Sequence, residues 1–496
     1  MSLAEERFER GRRTVGLFVG PALFAFLWLL PLPGISTEAH RLAAVLGWIL
    51  TYWICEPIPI PATALLGPVL CVVLGIAEPQ VVFAPFANPV VFLFIGSFIL
   101  AQGMIAHGLN ERIALSILSA GWVAGRGRRL ALAVGLIPLV ISGWISDSAT
   151  TAMIYPILIG ILDSLHGTSR SPQGRRFSSG LLLTISYAAL IGGVMTPVGT
   201  PPNLIGIGML GRLADRHVGF FQWMTLAAPI ALALGACMFA IMAVAFPAVH
   251  TDGAEAMEFV RRRRAALGPW SRGEKNALFA FVVAVVLWVL PGIVASTIGP
   301  KAATARLLER HLPEGVASLI AALLLFLLPT DWKARRFTLR WSDATRIHWG
   351  TILLFGGGLS LGGLMFSTHL AEVLGNALIE WSGVESVWGL CAISIALAIG
   401  LTEVTSNTAT ASMLVPVVIA LANVLEVSPV PPTIGVCMGA SMAFMLPVST
   451  PSNAIVYGSG RVPITAMIRA GIVLDVLGFG VIFAGLRLLC PLLGLA

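Results

Sequence analysis

Hydroxyls, amides and one carboxylate interrupt an otherwise apolar chain at two places, in two related strings. SDSATTAMIYP begins at Ser146 and SNTATASMLVP at Ser406, sharing Ser-x-x-Ala-Thr-x-x-Met-x-x-Pro. A second pair follows each copy. MTPVGTPPNLI runs from Met195 and MLPVSTPSNAI from Met445, sharing Met-x-Pro-Val-x-Thr-Pro-x-Asn-x-Ile. The hydroxyls of Ser146, Ser148, Thr200, Ser406, Thr408 and Thr450 are neutral oxygens that can replace the hydration shell of a small cation. The amides of Asn203, Asn407 and Asn453 can both donate and accept. No cluster of Lys or Arg falls in these stretches, so an anion bound there must be held by backbone dipoles and by bound cations. Any one of these hydroxyls, alone, reads as an ordinary helix-packing group. Two eleven-residue patterns recurring in order in both halves do not. Such paired breaks inside apolar runs are the best sequence-level pointer to a transporter's binding site.

The segments that carry these strings must lie in a membrane. The chain has 496 residues, 57% hydrophobic and 11% charged, with mean hydropathy +0.90. A soluble globular chain carries about 25% charged residues. Continuous apolar runs of about 20 residues favour helices over the alternating strands of about 10 residues that build a barrel. The fold class read here is an all-α polytopic membrane protein. The net charge of +7 does not point to nucleic acid, because the basic residues fall in short loops between apolar runs. Cys55, Cys71, Cys237, Cys391, Cys437 and Cys490 are scattered with no CxxC spacing, so neither a disulfide framework nor a zinc site is indicated. The polar start MSLAEERFERGRR precedes an apolar run at 14–33 with no small-residue cleavage pattern, which reads as a retained first helix.

Apolar runs follow at 42–55, 60–76, 89–107, 130–165, 181–210 and 225–246, then a polar linker at 250–275. The second half repeats the order at 277–298, 316–328, 351–366, 387–424, 433–457 and 464–493. The runs 130–165 and 387–424 are too long for one crossing of about 20 residues, and each is cut midway by a tip motif. Their arms of about 14 to 17 residues make roughly 21 to 25 Å of helix, short of a hydrocarbon core of roughly 30 Å. Re-entrant hairpins with tips at mid-membrane fit, provided protein buries the tips or a cavity wets them. The runs 181–210 and 433–457 break at 197–203 and 447–453.

Basic residues set the orientation. With Arg7, Arg10, Arg12 and Arg13 inside, four crossings place Arg126, Arg128 and Arg129 inside, and a re-entrant hairpin returns Arg170, Arg175 and Arg176 to that side. Two crossings then bring Arg261, Arg262, Arg263 and Arg264 inside, and two more bring Lys333, Arg335, Arg336 and Arg340. The second hairpin opens outward, flanked by Glu372, Glu380, Glu385 and Glu426. This is the positive-inside bias, with Lys301, Arg306 and Arg310 the exception, partly offset by Glu309 and Glu314. The expected architecture is about 11 transmembrane helices plus two re-entrant hairpins in an inverted repeat. Its parts are 1–41, the N-terminus and first helix; 42–249, the first repeat with an inward-opening hairpin at 130–165; 250–275, a basic cytoplasmic linker whose arginine run reads as a lipid-facing loop; and 276–496, the second repeat with an outward-opening hairpin at 387–424. The N-terminus is expected in the cytoplasm and the C-terminus outside.

At each tip the second arm begins near Ala149 or Ala409, so its N-terminus offers free N–H groups and about half a positive charge, suited to an anion. The first arms end near Ser142 and Thr402 and present carbonyls, suited to a small cation. Together these read as cation-coupled anion transport.

SNTAT, TPSN, TPPN, EPIPIPATALL from Glu56, NPVVFLFIGSF from Asn88 and LLFGGGLSLG from Leu353 resemble the divalent anion/sodium symporter family of dicarboxylate, citrate and sulfate carriers. The resemblance covers essentially the whole chain after the first helix. It implies a homodimer in the cell (inner) membrane, with scaffold and transport domains and an elevator motion in which hairpins and broken helices move together. It implies sodium as coupling ion and no other cofactor. It places substrate contacts on Ser146, Asp147, Ser148, Thr200 and Pro201 in one half, and on Ser406, Asn407, Thr408, Thr450 and Pro451 in the other. Its cation sites fall on Ser142, Ser146, Asp147 and Gly199, and on Thr402, Thr405, Asn407 and Ser449.

One departure matters. The first tip reads Ser-Asp-Ser where the family usually has Ser-Asn-Thr. An intramembrane carboxylate is a functional-site hypothesis by default. Beside a dianion, Asp147 would repel by about 4 kcal/mol per charge pair at about 4 Å and effective dielectric about 20. It can ligate a cation, carry a co-transported proton, shift preference to a less charged substrate, or rest satisfied by backbone N–H groups. Cation ligation is the expectation taken forward, with protonation next. Glu56 and Glu403 read as structural or gate-adjacent, and Asp475 has no assigned part. The expected function is sodium-coupled transport of a small divalent anion, a C4-type dicarboxylate such as succinate, malate or fumarate. Alternatives are a sodium-independent or proton-linked dicarboxylate exchanger, a sulfate or citrate carrier, and, more remotely, a channel or an intramembrane enzyme. The enzyme lacks any HExxH or paired-His motif within the spans.

Overall fold

The computed structural model describes residues 3–31, 34–123, 127–165, 171–248, 254–299 and 301–496. Arg126, Arg170 and the start of the linker at 250–253 lie outside the described residues. Among the described residues the regular structure is helical apart from one short antiparallel pairing of Pro329–Asp331 with Arg336–Phe337. Among the described residues seven helices are long and apolar enough to cross a membrane, or eight if the bent pair Ala303–His311 and Glu314–Leu327 counts as one span. The expected count of about eleven also drew on shorter runs, of which Ile60–Val73, Val387–Thr402 and Val430–Ala440 are apolar helices below that length.

Helix starts follow local chemistry. Ser36 accepts the Ala39 N–H at 3.1 Å, and Asn88 accepts the Val90 N–H at 2.9 Å ahead of Pro89. Ser271 and Glu274 form a reciprocal capping box at the head of Arg272–Ile298. The centre of the molecule is the helix Pro172–Gly193, in which every residue from Phe177 to Gly193 is buried. A helix buried all round belongs to the interior of a large protein. Phe220–Ala245, Arg272–Ile298 and Ile464–Leu492 surround the core and turn apolar residues outward, as Val244 (83% exposed) and Val476 (67%) show. On a chain of this composition such faces meet hydrocarbon.

The two long odd runs each resolve into two helices joined by a short tip and packed on one another. The first hairpin pairs Gly127–Ile141 with Asp147–Ser164, and the second pairs Val387–Thr402 with Asn407–Val424. The near arms have 15 and 16 residues and the far arms 18 each. At 1.5 Å per residue these are about 22 to 27 Å long. Of the four, Asn407–Val424 passes as a span by length and composition.

The linker departs from expectation. Arg261 to Arg264 belong to a helix, Ala254–Ala266, not to a loop. Ala256, Met257 and Val260 are buried on one face, and Phe259 packs against Gly160 of the first far arm. Arg263 pairs with Glu111 at 2.8 Å, and Arg264 donates to Ser119 at 2.7 Å. The helix after it starts at Arg272, within the expected linker, and Glu274 there forms a buried ion pair with Arg112 at 2.5 Å.

Candidate functional site

Both tips are built alike. Ser146 accepts the Ala149 N–H at 3.4 Å and Ser406 the Ala409 N–H at 3.2 Å, each capping the far arm of its hairpin. Residue by residue the burial matches: Ser146, Ser148, Ser406 and Thr408 are half-buried, while Asp147 and Asn407 are buried. The two buried side chains act differently. Asn407 turns back to its near arm and accepts from Thr402 Oγ1 at 2.8 Å. Asp147 accepts from the N–H and the hydroxyl of Ser148, at 2.6 and 3.1 Å, through the same oxygen, Oδ1. The local satisfaction foreseen for this carboxylate is therefore present for one oxygen.

The broken segments are equally parallel. Pro172–Gly193 ends before the break and Pro201–Leu213 starts after it; Val430–Ala440 and Pro451–Tyr457 repeat this. Thr200 and Thr450 stand at the restart in extended backbone, with φ −144° and −150°, and neither hydroxyl caps its helix. Asn203 donates to the carbonyls of Gly193 and Thr196 at 3.1 and 2.8 Å. Asn453 donates to those of Ala443 and Leu446 at 2.8 and 3.0 Å. Each amide thus ties the unwound stretch to the helix it starts. Pro201 is half-buried and Pro451 exposed, so the second break is the more open.

Each tip docks on its own break. A β-carbon on Gly199 would lie 2.5 Å from the Gly193 carbonyl oxygen, 2.8 Å from that of Ser142 and 3.0 Å from that of Gly143. Three carbonyls therefore converge where this glycine has no side chain. Thr196 also donates its hydroxyl to the Gly143 carbonyl. In the second half Thr402 donates to the Ala440 carbonyl at 2.6 Å, Thr405 pairs with Thr410 at 2.7 Å, and Ser449 donates to the Leu446 carbonyl at 2.6 Å. Glu403 accepts the N–H groups of Phe444, Met445 and Leu446 at 2.6, 2.9 and 3.2 Å. It clamps the second break, consistent with a structural part. Glu56 stands at positive φ of 49° beyond Thr37–Cys55 and lies 3.8 Å from Arg12, which also donates to the Val404 carbonyl at 3.1 Å. The first helix is thereby fastened to the second tip.

The halves interlock crosswise. Pro201–Leu213 packs on Asn407–Val424 and Val430–Ala440, while Pro451–Tyr457 packs on Asp147–Ser164 and Pro172–Gly193. Ser186 donates to Asn453 Oδ1 at 2.7 Å, and Tyr187 donates to the Phe444 carbonyl at 2.9 Å. Sequence reading named neither residue, nor Thr196 or Thr410. Their signal is a polar residue inside a fully apolar helix or break. No described hydrogen bond joins Ser146 to Ser406 directly.

The polar inventory differs between halves. Buried and without a hydrogen-bond partner are the oxygens Ser142 Oγ, Thr150 Oγ1, Thr200 Oγ1 and Asn203 Oδ1. Of their counterparts, Thr402, Thr410 and Asn453 Oδ1 are engaged within the protein, while elsewhere in the second half Ser412 Oγ, Thr433 Oγ1 and Ser452 Oγ are likewise buried without a partner. Buried oxygens without partners are costly unless a ligand or water completes them. Together with the Ser142, Gly143 and Gly193 carbonyls they suit a small hard cation held without carboxylate clusters. Among the described residues no group of three or more His, Cys, Asp or Glu is placed to hold a metal ion.

The family model described as the sodium:sulfate symporter transmembrane region matches residues 12–494. The sodium-dependent dicarboxylate transporter SdcS of Staphylococcus saprophyticus is 32% identical over 491 residues, covering 96% of this chain and 91% of that protein. The protein of the same name from Staphylococcus aureus is 31% identical over 466 residues, covering 92% and 87%. Among solved structures, Neisseria gonorrhoeae MtrF, described with a class of antimetabolite efflux pumps, superposes with a TM-score of 0.55 over 97% of both chains at 13% identity. The Alcanivorax borkumensis YdaH transporter superposes with a TM-score of 0.50 over 82% of this chain and 84% of that one, at 15% identity. At such identities the structural likeness concerns the fold alone.

Proposed function

Because the chain belongs to the sodium:sulfate symporter family, we propose that it is a secondary active transporter that couples sodium entry to uptake of a small dicarboxylate, of the C4 type. The names of the SdcS relatives support sodium and a dicarboxylate. The observation that carries this reading is the pair of hairpin tips, each docked on a helix break. In the first, orphaned buried oxygens and converging carbonyls stand beside a capped helix N-terminus, with no Lys or Arg within the motif.

In this proposal Ser142, Gly199 and the Asp147 region hold one cation, and Thr402, Thr405, Asn407 and Ser449 hold another. The half-buried hydroxyls Ser146, Ser148, Ser406 and Thr408 face the substrate, with Thr200, Pro201, Thr450 and Pro451 at its flanks. The dianion is held by the N-termini of Asp147–Ser164 and Asn407–Val424 and by the bound cations. Those cations must be bound before the dianion can sit beside Asp147, which makes the coupling obligatory. The hairpins are re-entrant and move with the broken helices as one body, in a homodimer in the cell membrane, with the N-terminus inside and the C-terminus outside. Asp147 favours one second reading, in which a proton takes the place of one cation.

Uptake of labelled succinate by proteoliposomes, with and without an imposed sodium gradient and in competition with malate, citrate and sulfate, tests the proposal. Concentrative succinate uptake only with inward sodium is expected. Exchange without sodium, or preference for sulfate or citrate, would overturn the coupling or the substrate. Flux far above carrier rates would indicate a channel.

A further inference from the structure

Away from the tips and breaks, three helices enclose a crevice of about 290 Å³ at the end where Gly127–Ile141 and Pro172–Gly193 begin and Phe220–Ala245 stops. Its size lies near the lower end for ligand pockets, roughly 300 Å³. Pro172–Gly193 forms the floor with Phe177, Leu181 and Thr184. Leu132 stands on one wall, and Phe239 and Met242 on the other. The walls are seated on glycines. A β-carbon on Gly135 would collide with the Phe239 ring, and one on Gly180 with the Phe246 side chain.

The lining is apolar at one end and cationic at the other. Thr184 brings its one hydroxyl, which is committed to the Gly180 carbonyl at 2.8 Å. Arg128 brings its one charge, exposed in the first turn of its helix, and no Asp or Glu lines the space. Arg176 donates its Nε to the Ala245 carbonyl at 2.7 Å, which holds a second guanidinium at the end of Phe220–Ala245.

A polar solute entering this space would give up hydrogen bonds that the walls cannot return. A dicarboxylate has two charged ends, whereas the crevice is cationic at one end only. Hydrocarbon suits the rest of it. The rim residues Leu132 (41% exposed) and Ala243 are on the outside of the helix pack, beside the outward-turned Val244. The mouth therefore opens toward acyl chains, with its guanidinium groups at the membrane surface, where Arg stems lie along apolar walls and their heads meet water and phosphate.

We propose that the crevice binds one acyl chain of an anionic phospholipid, whose phosphate rests on Arg128 with Arg176 beside it. Gly127–Ile141 is the near arm of the first hairpin and leads to Ser142. That arm and Phe220–Ala245 touch farther along, at Gly135 against Phe239 and at Leu139 against Gly235. The acyl chain fills the gap between them where they diverge, and its headgroup bridges the start of the arm to the end of the neighbouring helix. The lipid thereby ties the hairpin to its surroundings. The inference needs only the placement of these helices in a membrane, and holds whichever solute is carried.

Phosphatidylglycerol with a photoreactive diazirine in one acyl chain, added to the purified full chain in detergent micelles, tests this. After irradiation, label is expected on peptides covering 128–132, 177–184 and 239–246. Unlabelled phosphatidylglycerol should chase it at about fivefold lower concentration than phosphatidylcholine, the preference one arginine gives for an anionic headgroup. Arg128→Gln should remove that preference, and Ala131→Phe, which fills the crevice, should remove the label there while other outward faces keep theirs. Label spread evenly over the outward helix faces overturns the proposal, as does equal chase by the two lipids or an unchanged preference in Arg128→Gln. A disulfide-linked dimer formed by Ala243→Cys, and absent from wild type, would place a second copy there and overturn it too. Should Ala131→Phe fail to fold, the labelling and chase of the wild type decide alone.

Discussion

Asn203 and Asn453 stand in equivalent positions of the two halves and make the same pair of bonds. Each sends its amide to the carbonyls ten and seven residues back, Gly193 and Thr196 in one case, Ala443 and Leu446 in the other. Each is fully buried. The amide replaces the helix ladder where the chain unwinds, so main-chain atoms can turn toward a ligand without being left unpaired. Asn453 has one further duty, accepting the Ser186 hydroxyl from the other half.

Replacing either asparagine by alanine strands one buried carbonyl, Gly193 or Ala443, since Thr196 still accepts the Gly199 N–H and Leu446 the Ser449 hydroxyl, and at Asn453 it strands the Ser186 hydroxyl as well. Each stranded group costs about 1–3 kcal/mol. Both variants should lose most transport, and Asn453→Ala should lower the thermal midpoint of the purified protein more than Asn203→Ala. Equal midpoints would deny Ser186 its part in joining the halves.

Gly199→Ala should abolish sodium-driven uptake even at saturating sodium, because the new methyl would fall 2.5 Å from the Gly193 carbonyl oxygen. Gly363 is the control, with nothing within 4 Å of its would-be β-carbon. Gly363→Ala sits inside Trp349–Ser367 and should transport normally, with stability raised by up to about 1 kcal/mol from helix propensity. Paired uptake assays on the two variants check both statements.

Much of this site was legible in the sequence, and the reason is physical. Serine, asparagine and proline are conspicuous where everything around them is apolar, so the tips at 142–146 and 403–406 and the two breaks stood out. The helix Ala254–Ala266 was hidden because Arg261 to Arg264 dominate its composition, although Ala256, Met257 and Val260 lie at helical spacing on its buried face. The crosswise packing of Pro201–Leu213 on Asn407–Val424 and of Pro451–Tyr457 on Asp147–Ser164 was out of reach. It depends on how distant helices meet, which no local pattern encodes.

The unequal polar inventories of the halves separate two variants. Ser142 Oγ has no partner within the protein, whereas Thr402 Oγ1 lies within hydrogen-bond distance of both the Ala440 carbonyl and the Asn407 side chain. Ser142→Ala should leave the sodium-free protein as stable as wild type and weaken its stabilisation by sodium. Thr402→Val should lower stability with or without sodium, by about 1–3 kcal/mol. Thermal unfolding at zero and high sodium reads both, since a bound ion adds about 2.7 kcal/mol at about 100 times its dissociation constant. If Ser142→Ala responds to sodium as wild type does, its hydroxyl is no ligand.

In the proposed mechanism Asp147 sets the coupling ion of the first half-site. Its Oδ1 is occupied by Ser148, which leaves the other oxygen for a ligand. A negative charge here strengthens binding of a cation and weakens binding of a dianion, by about 4 kcal/mol per pair at about 4 Å and an effective dielectric of about 20. Asp147→Asn should therefore raise the sodium concentration for half-maximal uptake and, at saturating sodium, lower the concentration of dicarboxylate needed. The loaded site would also carry one more positive charge as it crosses the membrane field and the empty site one less negative charge on its return, so the net charge per cycle is unchanged while the voltage dependence of each step shifts. Each unit is worth about 2.3 kcal/mol per 100 mV, so the voltage dependence of uptake in proteoliposomes under imposed potassium diffusion potentials measures it. Were a proton the carried ion instead, the variant would lose pH dependence and keep its sodium response. Sodium, pH and voltage responses all identical to wild type would remove Asp147 from the coupling machinery and leave its carboxylate a local cap on Ser148.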